Sequence, residues 1–282
     1  MDYTLNIKGR LMSMAEPQVM GILNVTPDSF YAESRVQTAL AVAERARQIV
    51  AEGGTIIDIG ACSTRPSSEP VGQEEEMERL RMALGVVRRE LPSAVVSVDT
   101  FRPDVARMAV EEFGADIIND VGGPATPGAS SPSVSSGGED CAMLRMVSRL
   151  RVPYILMSAK PTLRETLLFF AERVQRLRDM GHKDIILDPG FGFGKTLEQN
   201  YALLAELEKL LVMELPLLVG VSRKSMICKL LGVMPSEALN ATTALHAVAL
   251  MKGASILRVH DVKEAAECCK LIGKTIIETP KP

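Results

Sequence analysis

The feature of this 282-residue chain that most constrains its fold is a regular alternation of short apolar runs with longer amphipathic segments. The apolar runs are rich in β-branched residues and almost uninterrupted, which is typical of strands buried on both faces. The first amphipathic segment ends in glycines, which commonly terminate helices. The second begins with glutamates and carries arginines near its end, the charge order that the helix dipole favours. The predicted strands are 19–25, 55–60, 94–100, 116–121, 153–158, 184–190, 215–222 and 255–260, and the predicted helices are 38–54, 74–91, 103–113, 141–151, 163–180, 197–213, 240–252 and 262–276.

Eight strand–helix units predict an α/β fold, a (β/α)₈ TIM barrel, in a single domain spanning 1–282. Because periodicity does not show whether a sheet closes, an open doubly wound sheet is the alternative. Residues 124–140 are rich in Pro, Gly and Ser and are predicted to form a long mobile loop insertion. This loop follows the fourth strand, so it should lie on the face that carries barrel active sites.

Composition limits the range of partners and compartments. The net charge of −3 gives no reason to expect a nucleic acid or a membrane surface as a partner. The five cysteines form no CxxC pair, which favours reduced thiols and a cytoplasmic location. The N-terminus has no apolar signal-peptide core and the apolar runs are only strand-length, so no membrane span is predicted.

Polar residues stand at the carboxyl ends of the predicted strands. In a barrel these ends meet at one mouth, so the side chains should converge there. Helix capping or turn formation could explain any one of them, but the whole set at one end favours a binding site. The set is Asn24, Asp58, Asp99, Asn119, Asp188, Ser222 with Arg223 and Lys224, then Arg258 and His260.

The chemistry of these side chains indicates two kinds of ligand group. Two carboxylates, an amide and a cation suit the edge of a neutral heterocycle that presents both donors and acceptors; these residues are Asp99, Asn119, Asp188 and Lys224. Donors with one amide oxygen suit a phosphate or pyrophosphate group, with Mg²⁺ bound between that oxygen and the phosphate; these residues are Asn24, Arg65, Arg258 and His260.

The glycine-rich stretch DPGFGFGKT at 188–196 resembles a phosphate-binding loop only superficially. A Walker loop needs four residues between its two glycines, whereas three separate Gly190 from Gly194. The dinucleotide pattern GxGxxG also fails. We therefore predict that Asp188 grips the ligand, that the glycines let the backbone pass close to it, and that Phe193 offers a ring face.

Seven motifs, in order along nearly the whole chain, closely resemble those of the dihydropteroate synthases. They are GILNVTPDSF (21–30), DIGACSTRPSS (58–68), SVDT (97–100), IIND (117–120), LDPGFGFGK (187–195), VGVSRKSMI (219–227) and LRVHDV (257–262). The resemblance implies a (β/α)₈ barrel and a transferase of folate biosynthesis. Such an enzyme joins 4-aminobenzoate to 6-hydroxymethyl-7,8-dihydropterin diphosphate and releases pyrophosphate. It further implies Mg²⁺ dependence, inhibition by sulfonamides, a homodimer and a cytosolic location.

The resemblance also implies a role for each matching residue. Asp99, Asn119, Asp188 and Lys224 should grip the pterin, Asn24 should hold Mg²⁺, and Arg258 and His260 should contact the diphosphate. Thr64, Arg65 and Pro66 on the second loop, residues 26–35 on the first, and Phe193, Ser222 and Lys224 should form the aminobenzoate site. The implied displacement is dissociative, with Asp99 and Asp188 stabilising the cationic pterin fragment.

The chain departs from the family pattern at the barrel mouth. Ser158 replaces a histidine, segment 156–167 is shortened, and the loop at 124–140 is expanded. Tyr31, Ala32 and Glu33 replace residues that are often glycine in the family, which should alter the mobility of the first loop.

Two alternative functions remain at this point. A pterin-dependent methyltransferase shares the barrel and the pterin grip but needs no diphosphate site, and a non-catalytic pterin-binding barrel would have no turnover. Outside the ring, His182 is predicted to be a solvated turn residue and His246 a packed core residue.

Overall fold

In the computed structural model, the described residues are 3–25, 32–62, 71–122 and 142–278, with only the backbone described at 32–37 and 276–278. The chain begins with an antiparallel hairpin, β1 (Thr4–Ile7) and β2 (Arg10–Ser13). Lys8 and Gly9 turn the hairpin with φ of 51° and 84°, the left-handed pair that a two-residue hairpin turn requires.

Eight parallel strands follow the hairpin and form a nearly closed barrel. Their spatial order is β8-β7-β6-β5-β4-β3-β10-β9, and a bridge between Leu187 and Leu217 joins the two end strands. The predicted barrel is therefore confirmed. The strands are β3 (Gln18–Asn24), β4 (Ile56–Gly60), β5 (Val95–Asp99), β6 (Ile117–Asp120), β7 (Tyr154–Met157), β8 (Ile185–Asp188), β9 (Leu218–Val219) and β10 (Ile256–Val259).

Helices connect the strands and surround the barrel. They are α1 (Ala32–Ala51), α2 (Gln73–Glu90), α3 (Pro103–Phe113), α4 (Ala142–Leu150), α5 (Leu163–Asp179), α6 (Leu197–Ala205), α7 (Ser225–Leu231), α8 (Leu239–Met251) and α9 (Val262–Glu278). Local signals set several ends: Pro103 opens α3 and Gly114, with φ of 60°, closes it. Thr196 and Gln199 form a capping box at the start of α6.

Several elements differ from the sequence prediction. The hairpin β1–β2 was not predicted, and α1 begins at Ala32, six residues before the predicted helix start at 38. The predicted helix 197–213 changes after α6 into a 3₁₀ helix at Leu207–Met213. The predicted strand 215–222 shortens to Leu218–Val219, and α7 was not among the predicted helices. The prediction of a mobile loop at 124–140 lies outside the described residues.

The core has two layers with different neighbours. One packs the outer faces of the strands against the helices, and the other fills the barrel lumen. The lumen layer comprises Leu5, Ile7, Met14, Met20, Ile56, Ile117, Ile155, Ile186, Leu218 and Ile256. Because its first three members come from the hairpin and its border, β1 and β2 close the amino-terminal end of the barrel with an apolar floor.

The two histidines outside the ring are both buried. His246 is 1% exposed, which confirms its core position, but His182 is 4% exposed, so the prediction of a solvated turn residue was wrong. The His182 ring packs edge-on against Tyr154 with centroids 6.5 Å apart, since the turn folds against the outer face of β7. None of the helices in the described ranges is long and apolar enough to span a membrane.

Candidate active site

Strand register places the polar ring in a definite row above the floor. Asn24, Gly60, Asp99 and Asn119 are successive partners across β3, β4, β5 and β6, so their side-chain positions share the lumen face. A Cβ atom at Gly60 would lie 3.4 Å from Asn24 Oδ1 and 3.7 Å from Asp99 Oδ2. The absent side chain leaves room between these two polar groups.

Arg258 on β10 is the centre of the charge network in this mouth. Its Nε donates to Asp58 Oδ2 and its Nη2 to Asp99 Oδ2, each at 2.7 Å. Asn119 Nδ2 donates to the same Asp58 oxygen at 3.1 Å. Four residues from four strands, predicted from sequence only to share one end of the barrel, are thus in direct contact.

Burial perturbs the ionisation of this network. Burial raises the pKa of Asp99 to about 7; the positive charge of Arg258 opposes the rise, and the charges of Asp58 and Glu76 add to it. Burial lowers the pKa of Arg258, but Asp58 and Asp99 outweigh it, so the net shift is upward and the guanidinium stays charged. A carboxyl group that titrates near neutrality inside a cleft is characteristic of functional sites.

Asp188 and Lys224 form the opposite wall of the mouth. Asp188 Oδ1 accepts the Gly190 amide at 2.7 Å, and burial raises the pKa of Asp188 against the attraction of Lys224. The Lys224 ammonium donates to the Phe191 carbonyl and lies 4.6 Å from the Phe193 ring centroid. Burial lowers the pKa of Lys224 to about 8; Asp188 opposes this shift, whereas Arg258 and Lys195 add to it.

The glycine-rich stretch after β8 is held by its own lysine. Lys195 Nζ donates to the carbonyl oxygens of Ser158, Gly190 and Phe193 at 3.1, 2.9 and 3.2 Å. A Cβ at Gly190, whose φ is 68°, would lie 2.2 Å from the Ser158 carbonyl oxygen, so only glycine fits there. The lysine that gives the stretch its P-loop appearance therefore binds backbone carbonyls and fixes the loop that carries Phe193.

His260 and Ser222 form a second polar pair beside Arg258. Ser222 Oγ accepts the His260 amide and contacts His260 Nδ1, both at 3.1 Å, while Arg45 of α1 donates to the His260 carbonyl at 2.6 Å. Burial and the charge of Arg258 lower the pKa of His260 to about 4. His260 is consequently a neutral imidazole near pH 7.

Arg223 does not belong to the ring, contrary to the sequence prediction. Its guanidinium forms a two-point pair with Asp261 at 2.8 and 2.7 Å and donates to the carbonyls of Pro235 and Ser236. The backbone at Arg223 is left-handed, with φ of 53°. This turn directs Arg223 to the α8 side, whereas the next residue, Lys224, faces the mouth.

Two of the predicted ligand-binding segments lie outside the described residues: Thr64, Arg65 and Pro66, and most of the first loop. The backbone on either side of 63–70 is nevertheless held firmly. Arg79 donates to the Ala61 carbonyl at 3.0 Å, and Arg102 donates to the Val71 carbonyl at 2.6 Å. Arg102 also pairs with the fully buried Glu76.

The predicted metal ligand, Asn24, is an exposed side chain at the end of β3. Within the described ranges no group of three or more His, Cys, Asp or Glu residues could enclose a metal ion. A lone carboxamide oxygen fits a Mg²⁺ ion that arrives with a phosphate-bearing ligand and keeps several waters. It does not fit a resident metal held by protein ligands alone.

Sequence reasoning gave no specific role to several residues that the structure places in the site. The sequence places Asp58 in the predicted ring but assigns it no partner, and it predicts no function for Lys195 or Arg45. For Asp58 the signal is its spacing, because it stands two positions after the lumen residue Ile56. Lys195 and Arg45 bind backbone carbonyls, which no sequence pattern identifies.

The comparisons with known proteins agree on one family. A family model described as "Pterin binding enzyme" matches residues 20–260. The dihydropteroate synthase of Escherichia coli K12 is 39% identical over 271 residues, covering 95% of each chain. The structure of Xanthomonas albilineans dihydropteroate synthase with 4-aminobenzoic acid matches with a TM-score of 0.83 at 34% identity, covering 99% of this chain and 100% of that chain. A Coxiella burnetii dihydropteroate synthase in complex with pteroic acid matches with a TM-score of 0.80 at 34% identity, covering 97% of this chain and 98% of that chain.

Proposed function

This chain belongs to the dihydropteroate synthases within the pterin-binding enzyme family, and we propose that it joins 4-aminobenzoate to 6-hydroxymethyl-7,8-dihydropterin diphosphate with release of pyrophosphate. The observation that carries the proposal is the buried cluster of Asp58, Asp99, Asn119 and Arg258 above an apolar floor. The bound 4-aminobenzoic acid and pteroic acid of the two structural relatives support the choice of substrates.

The pterin ring occupies the wall lined by Asp99, Asn119, Asp188 and Lys224. Carboxylates accept the N–H groups along the ring edge, and the ammonium donates to its oxygen or nitrogen acceptors. Burial makes this selective, since a ligand that leaves a buried carboxylate without a partner forfeits about 1–3 kcal/mol.

The diphosphate lies toward Asn24, Arg258 and His260. Arg258 already pairs with two carboxylates. A diphosphate would replace Asp99 as the hydrogen-bond acceptor of the outer guanidinium nitrogen, and the Asp99 carboxylate would then be available to bind the pterin. When bound, Mg²⁺ would neutralise developing negative charge on the leaving group, and Asn24 is the residue that would hold it. The neutral His260 imidazole acts as a hydrogen-bond partner of the leaving group, not as a second positive charge.

In the dissociative step, the carbon–oxygen bond to the diphosphate breaks and its electron pair leaves with the pyrophosphate. The arylamine nitrogen then bonds to the pterin methylene carbon. Arg258 meets the negative charge that moves to the leaving group, while Asp99 and Asp188 favour the electron-poor pterin fragment left behind. An arylamine is nucleophilic without prior deprotonation, so no strong base is needed. The proton that the arylamine loses when the carbon–nitrogen bond forms passes to the released pyrophosphate, and Asp99 keeps its contact with the pterin.

The aminobenzoate site adjoins the glycine-rich loop. Phe193 offers a ring face, and α7 begins at Ser225 with Lys224 as its N-cap residue. Ser222 Oγ is engaged with His260, so its part in this site is to fix the local backbone. Thr64, Arg65 and Pro66 lie outside the described residues, and we expect them to complete the site because Arg79 and Arg102 hold the backbone at Ala61 and Val71 on either side of them.

The protein acts as a cytoplasmic homodimer in this proposal. Seven of the eleven large apolar side chains that are exposed among the described residues lie between 212 and 271, on consecutive elements around β9 and β10. They are Val212, Leu230, Leu231, Met234, Val248, Met251 and Leu271. A second copy would cover them, and sedimentation velocity on the purified chain tests this.

Pyrophosphate release tests the proposed activity directly. The purified chain should release pyrophosphate only when pterin diphosphate, 4-aminobenzoate and Mg²⁺ are all present, and each omission is its own control. A sulfonamide should compete with 4-aminobenzoate. A pterin-dependent methyltransferase or a non-catalytic binder would release no pyrophosphate under the complete conditions, and that result would end the proposal.

A further inference from the structure

Asp58 lies one layer beneath the row of ligand-facing residues. It pairs in register with Ser97, two positions before the Gly60–Asp99 pair, and it is 0% exposed, whereas the Asp99 side chain is 14% exposed. A ligand that enters the mouth therefore meets Asp99 first, whereas Asp58 has no exposed surface to offer it.

The two carboxylates hold opposite sides of one guanidinium group. Asp58 binds Nε of Arg258, next to the aliphatic stem, and Asp99 binds Nη2 at the far end. Because the stem side is the buried side, Asp58 can keep Arg258 in place when an anionic ligand displaces Asp99. A charge-assisted bond of 2.7 Å to a fully buried acceptor is the kind of contact that fixes a side-chain orientation.

Asp58 also determines which end of the Asn119 amide faces the mouth. A carboxylate only accepts hydrogen bonds, so the amide must present Nδ2 to Asp58, and the observed 3.1 Å bond has this orientation. The Asn119 oxygen is then turned away from Asp58 as an acceptor. With a neutral amide at position 58, either orientation of Asn119 could form a hydrogen bond.

Three buried polar atoms around this contact have no partner among the residues that the structure describes: Asp58 Oδ1, Asn119 Oδ1 and Ser97 Oγ. Buried polar atoms are satisfied in the great majority of folded structures, so a group of three in one place calls for a functional explanation.

We propose that Asp58 is a positioning residue that holds Arg258 and Asn119 in their ligand-binding orientations through a single carboxylate oxygen. The proposal rests on the proposed function, since it assigns Asp58 to the pterin diphosphate half of that site. Asp58 contacts neither Phe193 nor Ser222 by any hydrogen bond among the described residues, so the aminobenzoate half should not depend on it.

The test is the Asp58→Asn variant, which is nearly isosteric. We expect kcat to fall about 10–100-fold, as for other losses of substrate alignment, and KM for the pterin diphosphate to rise, while KM for 4-aminobenzoate stays within about twofold. The matched control is Asp116→Asn. Asp116 is a buried carboxylate at the closed end that binds Arg88 at 2.7 Å and accepts the Val96 amide at 2.9 Å. This control should lower Tm and leave both KM values and kcat near wild type, measured well below either Tm.

Two results would overturn the proposal: unchanged kcat and KM in Asp58→Asn, or a kinetic change that Asp116→Asn reproduces. If Asp58→Asn does not fold, the double variant Asp58→Asn with Arg258→Gln removes the unpaired charge. Its kcat should lie within about fivefold of Arg258→Gln alone, because Asp58 acts largely through Arg258; a larger additional loss contradicts the proposal.

Failure of the proposed function has a different signature. In that case the wild-type chain itself would release no pyrophosphate. Isothermal titration with 6-hydroxymethylpterin then still tests Asp58, since Asp58→Asn should weaken this binding and Asp116→Asn should not.

Discussion

The two ends of this barrel are built from the same strands but satisfy their polar groups in different ways. At the closed end, Asp116 pairs with Arg88 and Lys8, each at 2.7 Å, and the lumen above is apolar. At the open end, Asp58, Asp99 and Arg258 form a similar network, yet neighbouring buried oxygens have no partner within the described parts of the chain. The closed end is completed by the chain itself, whereas the open end is left for a ligand to complete.

Along a strand, a step of two residues separates the apolar lumen layer from the polar mouth. On β8, Ile186 belongs to the apolar lumen layer and Asp188 to the mouth; on β10, the corresponding residues are Ile256 and Arg258. Because alternate residues share a face, the same side of each strand passes from floor to mouth in one step. Stability and ligand binding can therefore be altered separately.

The largest expected effect is on catalysis at the open end. Arg258→Ala should lower kcat about 100–1000-fold, because one preorganised charged donor to the leaving group contributes about 2.7–4 kcal/mol to lowering the barrier. Steady-state pyrophosphate release measures this. The control is Arg88→Ala at the closed end, which should lower stability but leave kcat within about threefold; near-normal turnover of Arg258→Ala would refute the diphosphate assignment.

The next effect is on stability at the floor. Ile186→Ala should reduce the free energy of unfolding by about 2–5 kcal/mol, since it opens a cavity in a packed lumen, while both KM values stay near wild type. Urea unfolding gives the stability.

Asp188→Asn at the mouth provides the contrast to this variant. Because burial raises the pKa of Asp188, a neutral replacement should have little effect on the free energy of unfolding. It should, however, reduce kcat/KM. Equal kinetic losses in both variants would break the distinction between floor and mouth.

The pH dependence of kcat/KM should also report the open end. With Asp99 titrating at about 7 and Lys224 at about 8, the profile should be a narrow bell, and each pH unit outside it should cost about tenfold, roughly 1.4 kcal/mol. Asp99→Asn should remove the acidic limb. A flat wild-type profile across this range would contradict the assignment.

The same shift in Asp99 has a consequence for stability. The folded-state pKa of Asp99 lies above the ordinary aspartate value of 3.8, so the folded state binds more protons than the unfolded state between pH 3.8 and about 7. The contribution of Asp99 to the free energy of unfolding is therefore present below that window and is lost as pH rises through it. Comparing urea unfolding of wild type and Asp99→Asn across the window measures this loss.

The smallest effect is expected from an exposed pair at the closed end. Lys8→Met should change the free energy of unfolding by at most about 1 kcal/mol, because the Lys8 side chain is 48% exposed and solvent screens such pairs. Its kcat should equal that of wild type. A loss as large as that of Ile186→Ala would mean that the hairpin is held by charge and not by its apolar face.

Some parts of this structure could be read from local patterns, and others could not. The predicted strands and most helices are confirmed, because periodicity and capping residues act over a few neighbouring positions. The hairpin was missed because its strands have four residues each and are stabilised by a lumen formed much later in the chain. The prediction that the Arg223 side chain lies at the mouth was wrong, because a left-handed turn of the backbone and not the strand pattern directs this side chain.

Residue type and spacing alone specify the alternation of strands and helices, the family, and the set of polar residues at one end of the strands. Three sets of contacts depend on the folded barrel: Arg258 binds both Asp58 and Asp99, Lys195 binds the Ser158 carbonyl, and Ser222 is engaged with His260. These contacts join residues that lie 37 to 200 positions apart in the chain. Barrel closure and strand register choose such partners, and no local pattern encodes them.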